Sequence, residues 1–285
     1  MRKNASSNHW KDFWGDEQVP CDCDGHGTSM LSLICDAAPF AEIFVARIAG
    51  TSCDLSENPS ITSENLAKVS DEVEYWLFGT KDLSTQAIHW AVSEHGVDVI
   101  SMSLGWEKEP LSRNGRRVVS NAISEALGSQ NQQVLFFAAT SNDGSRSQEW
   151  FPANHRNVFS IRATDADGYH QGPNAALPGS GEIVFGTLGI EVPTASTGNT
   201  ARIAVRSGAS PATAIAAGLA ALVIGYTAVN KPCGTWDNVR THPGFQQFLY
   251  MVTNTSESRK RFFTLEGFYM QNHWPNLDHH LGIAS

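Results

Sequence analysis

The sequence predicts an α/β fold with three layers (αβα), in which a mostly parallel sheet lies between two layers of helices. Four short apolar runs have the residue types of buried strands, and stretches with the helical spacing of apolar residues separate them. Strands that alternate with helices are joined by right-handed crossovers, which produce a parallel sheet covered on both faces. With 285 residues, 41 % of them hydrophobic and 17 % charged, the chain has the composition of a folded domain rather than of a disordered segment.

Each element of this fold has a place on the sequence. The predicted strands are residues 42–48, 97–103, 133–139 and 158–163. The predicted amphipathic helices carry the apolar residues Leu33, Ile34 and Ala37; Ala87, Ile88, Ala91 and Val92; Val119, Ala122, Ile123, Ala126 and Leu127; and Phe245, Phe248, Leu249 and Val252. A further helix over residues 212–226 is apolar throughout, so we expect it to be buried.

The remaining segments show less pattern. Residues 49–82 predict a surface excursion with one short helix. After residue 226, about 60 residues with little periodicity would bury too small a core to stand alone. The expected segments are a polar N-terminal segment at 1–24, the main domain at 25–226, and a C-terminal helix and tail at 227–285 that pack on the same domain.

The composition excludes several classes of partner. A formal net charge of −9 opposes binding to a nucleic-acid backbone, which needs a basic surface. No stretch approaches the roughly 20 apolar residues of a membrane span, since residues 212–226 are too few and too rich in Ala and Gly. The first residues contain no apolar core of a signal peptide, and five cysteines form a sparse, odd set unlike a disulfide framework. We therefore expect an intracellular, reducing compartment, with no nucleic acid and no membrane as partner, and we also expect a monomer.

Candidate functional residues are sought where strands end and helices begin, because ligands of an open parallel sheet bind at the carboxyl ends of its strands. His26 stands between two glycines at the start of a predicted helix. Its ring is poorly covered there, which suits a general base that must reach a nucleophile. The alternative is a polar turn residue.

Two further residues have both a structural and a catalytic interpretation. Ser210 precedes Pro211, which fits the first position of a helix, so Ser210 is either the N-cap or lies just inside the helix. As a nucleophile, it would be favoured by the positive end of that helix. Asn142 follows a predicted strand and either forms a turn or donates its side-chain amide to an oxyanion.

Together and in this order, the motifs around these residues resemble those of the subtilisin-like serine proteases, the subtilase family. His26 lies in a Gly-His-Gly-Thr run similar to the family's histidine motif, and Ser210 lies in a Ser-Gly-Ala-Ser-x-Ala-Thr run similar to its serine motif. Asn142 matches the family's oxyanion asparagine. Residues 97–105 resemble the strand whose end lines the P1 pocket. The resemblance implies a subtilisin-like fold, and the serine segment is most like fungal members.

The resemblance also implies a serine-type endopeptidase that acts on polypeptide substrates. Ser210 would be the nucleophile, His26 the general base and Asn142 the oxyanion donor. The residues that would align the substrate strand by β-pairing are Ser103, Leu104 and Gly105. No cofactor is expected. Calcium stabilises many subtilases, but no acidic loop in this sequence is diagnostic of a calcium site.

The sequence departs from the family at the catalytic aspartate. In subtilases this Asp ends a strand upstream of the histidine motif, in a run such as Asp-Thr-Gly. The aspartates ahead of His26 lie in polar sequence with no apolar strand before them, and they are Asp12, Asp16, Asp22 and Asp24. We therefore expect the strand that carries the triad aspartate to lie upstream of Met1. The alternative function is a catalytically impaired, subtilase-like binding module or a gene fragment without that aspartate.

A second departure concerns the P1 pocket. Trp106 follows Gly105 at a place where the family usually has a small residue, so we expect a narrowed or reshaped pocket.

Two other hypotheses explain fewer of the motifs. Cys21-x-Cys23-x-x-His26 has the residue types of a zinc site, but it lacks a fourth ligand and the usual cysteine spacing, so no metal is expected. The run around Ser210 also approximates the nucleophile elbow of α/β-hydrolases. That fold needs its Asp and His after the serine, on strands that the sequence does not provide.

Overall fold

The structure of the chain is a computed structural model, which describes residues 9–15, 17–50, 80–111, 117–128, 133–142, 144, 148–170, 174–175, 183–197, 203–229, 236–257 and 260–263. Its helices are α1 (His26–Ala37), α2 (Thr80–His89), which continues as a π-helical turn (Trp90–Glu94), α3 (Val118–Gly128), α4 (Ala209–Val229), α5 (Trp236–Val239) and α6 (His242–Val252). Its strands are β1 (Trp10–Asp12), β2 (Val45–Arg47), β3 (Val99–Met102), β4 (Leu135–Ala139), β5 (Val158–Thr164), β6 (Val184–Leu188), β7 (Val192–Ala195), β8 (Ile203–Arg206), β9 (Asn254–Glu257) and β10 (Lys260–Phe263).

Of the described strands, six form one sheet in the order β3-β4-β5-β6-β10-β9. Neighbouring strands from β3 to β10 run parallel, and β9 is antiparallel to β10 at one edge. Two short pairs lie apart from this sheet: β1 is parallel to β2, and β7 forms an antiparallel pair with β8. The α/β class with a mostly parallel sheet, predicted from the sequence, is confirmed.

Helices cover both faces of the sheet, which gives the predicted three layers. Neighbouring residues of a strand point to opposite faces. On one face Phe136 of β4 packs with Ile123 of α3, and both side chains are fully buried. On the other face Phe137 stacks on Phe159 of β5, with ring centroids 5.0 Å apart, and belongs to a cluster that includes residues of α4 and α6.

Helix α4 lies at the centre of the fold. It is apolar on all sides, and most of its first half is buried. A Cβ atom on Gly218 would lie 2.5 Å from the Cβ of Ala37, so this glycine lets α1 pack closely on α4. Within the described residues, α4 is the one helix with the length and apolar composition of a membrane span. It has 21 residues, more than the apolar run predicts, and 67 % of its most apolar window is buried inside the protein, as in a core helix.

The structure contains a strand where the sequence predicts none. β1 pairs in register with β2, so that Trp10 faces Val45 and Asp12 faces Arg47. The sequence predicts no apolar strand before His26, and β1 is a short, half-buried strand rather than an apolar one. That the strand of the triad aspartate lies upstream stays a prediction. A segment of three half-buried residues is too short to show the alternation of apolar and polar residues that is typical of a strand. The strand depends on its pairing with β2.

Other differences concern single elements. β2 is half-buried along its length rather than fully buried as predicted. The sequence pattern does not predict β10, which joins the main sheet beside β6, where the Thr187 hydroxyl donates to the carbonyl of Phe263 at 2.6 Å. Helix α6, by contrast, agrees with the sequence pattern, since its apolar residues Phe245 and Phe248 are fully buried in the core around α4. The surface excursion predicted at 49–82 lies outside the described residues, except at its two ends.

Candidate active site

His26 is the first residue of α1, and a carboxylate holds the turn before it. Gly25 adopts a φ of 76°, a left-handed conformation that favours glycine. The Asp22 carboxylate accepts hydrogen bonds from the N–H of Gly25 at 2.8 Å and from the N–H of Thr28 at 2.6 Å. N–H groups at a helix start lack partners within the helix, so these bonds stabilise the start of α1 and fix the backbone of His26.

The surroundings of His26 favour a neutral ring. Burial lowers the pKa of His26 below its ordinary value of 6.5, because it disfavours the charged form. The Asp24 carboxylate raises this pKa, the Arg206 guanidinium lowers it and the Asp22 carboxylate raises it, in decreasing order of effect. A neutral imidazole is the form that accepts a proton from a nucleophile.

Helices α1 and α4 run side by side in the same direction. Near their start, the Nε of Arg206 donates to the hydroxyl of Ser29 in α1 at 3.3 Å. Further along, Gly218 of α4 approaches Ala37 at the end of α1. Both helices therefore begin at the same edge of the protein, which is where the predicted general base and the predicted nucleophile lie.

Ser210 is the second residue of α4, which begins at Ala209. Of the two positions that the sequence allows, N-cap and just inside the helix, the structure has the second. The turn before the helix contains Gly208, which has a φ of 137° and donates its N–H to the carbonyl of Gly189 at 2.7 Å. The carbonyl of Ser210 accepts a hydrogen bond from the Ser103 hydroxyl at 3.1 Å, so the end of β3 is joined to the first turn of α4.

Asn142 lies beside this turn, and the backbone orients its amide group. The Oδ1 atom accepts the N–H of Ala209 at 3.1 Å. A Cβ atom on Gly208 would lie 3.2 Å from Oδ1 and 3.3 Å from Nδ2, so a larger residue would press on this amide. Because Oδ1 is held, Nδ2 points elsewhere, and it has no hydrogen-bond partner among the described residues. The structure thus brings Ser103, Asn142 and Ser210 together.

Residues 103–105 directly follow β3, at the carboxyl end of the sheet. A Cβ atom on Gly105 would lie 3.4 Å from the Cβ of Trp150. Trp106 pairs with Phe151 through two backbone hydrogen bonds of 2.7 and 2.8 Å, and its side chain is buried in the core. Trp106 is marked in the sequence by its place after Gly105, whereas Trp150 has no such mark, because only the fold places it against Gly105.

Comparison with known families identifies this architecture. A family model described as the subtilase family matches residues 2–243 of the chain. The chain belongs to the subtilase family. It is therefore related to serine peptidases, and the family match includes β1 as well as the motifs around His26, Asn142 and Ser210.

Two curated relatives of this subtilase are fungal proteins. The chain is 28 % identical to "Subtilisin-like protease het-Q2" of Podospora anserina over 147 residues, which are 49 % of this chain and 33 % of that protein. It is 30 % identical to "Subtilisin-like protease 1" of Pseudogymnoascus destructans over 160 residues, which are 54 % of this chain and 36 % of that protein. The chain thus spans about a third of the length of the curated relatives that it matches.

Solved structures show the same fold. The prenylagaramide maturation protease PagA matches with a TM-score of 0.58 and 19 % identity over 87 % of this chain and 76 % of that one. A lanthipeptide protease matches with a TM-score of 0.59 and 17 % identity over 87 % of this chain and 73 % of that one. At these identities the likeness establishes the subtilase fold alone.

Asp12 is one of the aspartates ahead of the histidine motif, and it lies in the β1–β2 pair, apart from the main sheet. It ends β1, upstream of the histidine motif. Its side chain is only 2 % exposed and forms an ion pair with Arg47 at 2.8 Å. It also accepts the N–H groups of Trp14 and Gly15, each at 3.0 Å, and of Glu17 at 3.3 Å. The Asp12 carboxylate is therefore engaged by partners other than the predicted base.

No described carboxylate hydrogen-bonds the His26 ring. The carboxylates whose charges act on it are Asp24 and Asp22, both in the loop before α1. Asp16, another of the predicted candidates, lies outside the described residues. Hydrogen bonds between catalytic groups are often long in unliganded enzymes and shorten when substrate binds.

The structure also bears on the two other hypotheses from the sequence, a zinc site and an α/β-hydrolase. Cys21 and Cys23 are free thiols, and no group of three or more His, Cys, Asp or Glu side chains converges within the described ranges as a metal site would. The strand before Ser210 is β8, which among the described strands pairs with β7 alone, in an antiparallel arrangement. An α/β-hydrolase elbow needs a strand of the main sheet at that point, so that hypothesis is wrong.

Proposed function

We propose that this subtilase domain is a serine endopeptidase in which Ser210 attacks the peptide carbonyl. His26 takes the proton of Ser210 and returns it to the leaving amine. The Nδ2 of Asn142 and the N–H of Ser210 bind the oxyanion. The substrate pairs as an extended strand with residues 103–105, and no step requires a cofactor.

The observation that carries this proposal is the orientation of the Asn142 amide. Its Oδ1 is held by the N–H of Ala209, next to the nucleophile, so its Nδ2 is available to a ligand at the same turn. A preorganised donor beside the reacting carbonyl is worth about 2.7–4 kcal/mol of transition-state stabilisation where such donors have been removed. An Asn that only formed a turn would not require a hydrogen bond between its side-chain amide and the N–H of Ala209, the first residue of α4.

The surroundings of the two reacting groups also support the proposal. The lowered pKa of His26 keeps the ring neutral and ready to accept a proton near pH 7. Ser210 lies in the first turn of α4, where the positive end of the helix favours a developing negative charge.

Labelling with a fluorophosphonate probe tests the proposal. The probe should attach to Ser210, as shown by mass spectrometry of the labelled peptide, and Ser210→Ala should abolish labelling. Ser124→Ala serves as the matched control, because Ser124 is exposed on α3 and hydrogen-bonds only within its own helix. Labelling that survives Ser210→Ala would overturn the assignment of the nucleophile.

The second candidate function is a subtilase-like binding module without effective catalysis. It is favoured by the Asp12 carboxylate, which binds Arg47 rather than His26. Losing the orienting carboxylate lowers turnover by about 10⁴, so slow hydrolysis must be measured over long incubation. The endopeptidase predicts peptide cleavage that Ser210→Ala removes. The binding module predicts equal peptide binding by both proteins and no cleavage by either.

A further inference from the structure

The side chain of Arg206 lies across the start of α1, next to the predicted general base. Its Nε donates to the Ser29 hydroxyl at 3.3 Å, and its Nη2 would lie 3.6 Å from a Cβ atom on Gly25. Gly25 immediately precedes His26, and the charge of Arg206 acts on the His26 ring. Arg206 is therefore a fixed positive charge at the edge where α1 and α4 both begin.

This positive charge lacks a negative partner in the described part of the chain. No described carboxylate lies within 4 Å of the Arg206 guanidinium, although the side chain is half-buried. Two other arginines of low exposure have such partners, since Arg47 binds Asp12 and Arg162 binds Glu149. The half-buried Arg261 has none, but its guanidinium donates to the carbonyl of Tyr250 at 3.0 Å. A guanidinium presents a rigid fork of donors that matches a carboxylate. A half-buried guanidinium without a carboxylate partner has donors that an anionic ligand can accept from.

The position of Arg206 indicates which part of a substrate it meets. In the proposed reaction His26 delivers its proton to the leaving amine, so groups beside His26 face the leaving-group side of the scissile bond. The contacts of Ser103 and Asn142 with the first turn of α4 involve the carbonyl of Ser210 and the N–H of Ala209 instead. Arg206 thus lies on the side of the site formed by α1, whereas Ser103 and Asn142 lie at the first turn of α4.

We propose that Arg206 binds a carboxylate of the substrate on the leaving-group side, so that the domain prefers Asp or Glu at the first two positions after the scissile bond. This inference rests on the proposed function and names the substrate class of the same site. The ligand is an acidic polypeptide segment, and the contact is a charge-assisted, bidentate hydrogen bond. Such a contact corresponds to about a tenfold preference for an acidic residue over its amide.

Cleavage-site profiling tests this preference. The wild-type protein is incubated with a proteome-derived peptide mixture, and the residues after each cut are counted by mass spectrometry. Glu and Asp should be enriched about tenfold over Gln and Asn. Arg206→Gln should remove the enrichment, and Arg206→Glu should replace it by enrichment of Lys and Arg. Arg156→Gln is the matched control, since Arg156 is exposed and lies outside the site. It should leave the profile unchanged.

A binding arm keeps this test separate from the test of catalysis. The same peptide mixture is passed over immobilised Ser210→Ala and over the double variant Ser210→Ala/Arg206→Gln. Retention of acidic peptides by the first protein alone supports the inference, even if the wild-type protein cleaves nothing and the proposed reaction fails. Cleavage without acidic enrichment overturns the inference and leaves the proposed reaction intact. Equal retention of acidic and neutral peptides by Ser210→Ala also overturns it.

Discussion

Breaking the ion pair between Asp12 and Arg47 is expected to destabilise the protein far more than breaking the exposed pair between Lys11 and Glu94. The Asp12 and Arg47 side chains are 2 % and 15 % exposed, and their charged atoms lie 2.8 Å apart. Lys11 and Glu94 are 43 % and 60 % exposed, and their charged atoms lie 3.6 Å apart. Removing one partner of a buried pair costs about 3–5 kcal/mol, because the other charge stays buried. An exposed pair contributes about 0.2–1 kcal/mol.

Two double-mutant cycles measure this difference. Asp12→Asn and Arg47→Met should each lower the free energy of unfolding by about 3 kcal/mol, and the double variant should show a coupling energy of about 2 kcal/mol. Lys11→Met with Glu94→Gln should give less than about 1 kcal/mol. Urea unfolding followed by tryptophan fluorescence is the assay. Equal, small coupling energies in the two cycles would refute the reasoning.

The same variant separates a structural from a catalytic role of Asp12. If Asp12 acts through the fold, Asp12→Asn lowers stability, and folded molecules keep their rate of labelling by a fluorophosphonate. If Asp12 orients His26 in the reacting state, labelling falls by up to about 10⁴-fold with a smaller loss of stability. The contacts with Arg47 and with three backbone N–H groups predict the first outcome.

Three further predictions concern the oxyanion donor, the packing of α4 and the response to pH. Asn142→Ala should lower kcat about 10²–10³-fold with little change in KM in a peptide-cleavage assay, and a loss confined to KM would contradict the oxyanion role. Gly218→Ala should lower the free energy of unfolding by about 1–2 kcal/mol, because its Cβ would meet Ala37, whereas Gly225→Ala has open space and should raise it by about 0.5–1 kcal/mol. Urea unfolding measures both changes in the free energy of unfolding. If the two variants changed it in the same direction, close packing at Gly218 but not at Gly225 would be contradicted. Burial lowers the pKa of three histidines below 6.5, namely His26, His155 and His242. As the pH falls below about 6.5 the unfolded chain takes up these protons first, so each group should lower the free energy of unfolding by up to about 1.4 kcal/mol per pH unit. Thermal or urea unfolding between about pH 7 and pH 5 measures this slope, which His242→Phe should reduce, and a flat profile would exclude the mechanism.

The pattern of apolar residues in the sequence predicted those helices and strands whose own residues are mostly buried. β4 has five consecutive buried residues, so its sequence alone is typical of a strand in a covered parallel sheet. β1 has no such pattern. It depends on pairing with β2 and on the bond between Asp12 and Arg47, which are 35 residues apart. Contacts of that separation leave no signal in a local window of sequence.

The same distinction applies to the candidate site. His26, Asn142 and Ser210 stand in local motifs at strand ends or helix starts, so the sequence pointed to each of them. The close packing of α1 on α4 that brings two of them to one edge depends on Gly218. This glycine lies in the apolar run after Ser210, but only the fold shows that it meets Ala37. Arg206 and Trp150 were missed because the role of each depends on a contact across the fold.

The charges around His26 link the two proposals. Taking a proton from Ser210 makes the ring positive, which burial and Arg206 both disfavour, while Asp22 and Asp24 favour it. Asp12 cannot add to this balance while its carboxylate is held by Arg47. A substrate carboxylate bound to Arg206 would offset the opposing positive charge at the step where the imidazolium forms. The acidic segment would then supply part of the negative charge that an orienting aspartate supplies elsewhere, so its contribution belongs to the reaction step as well as to binding.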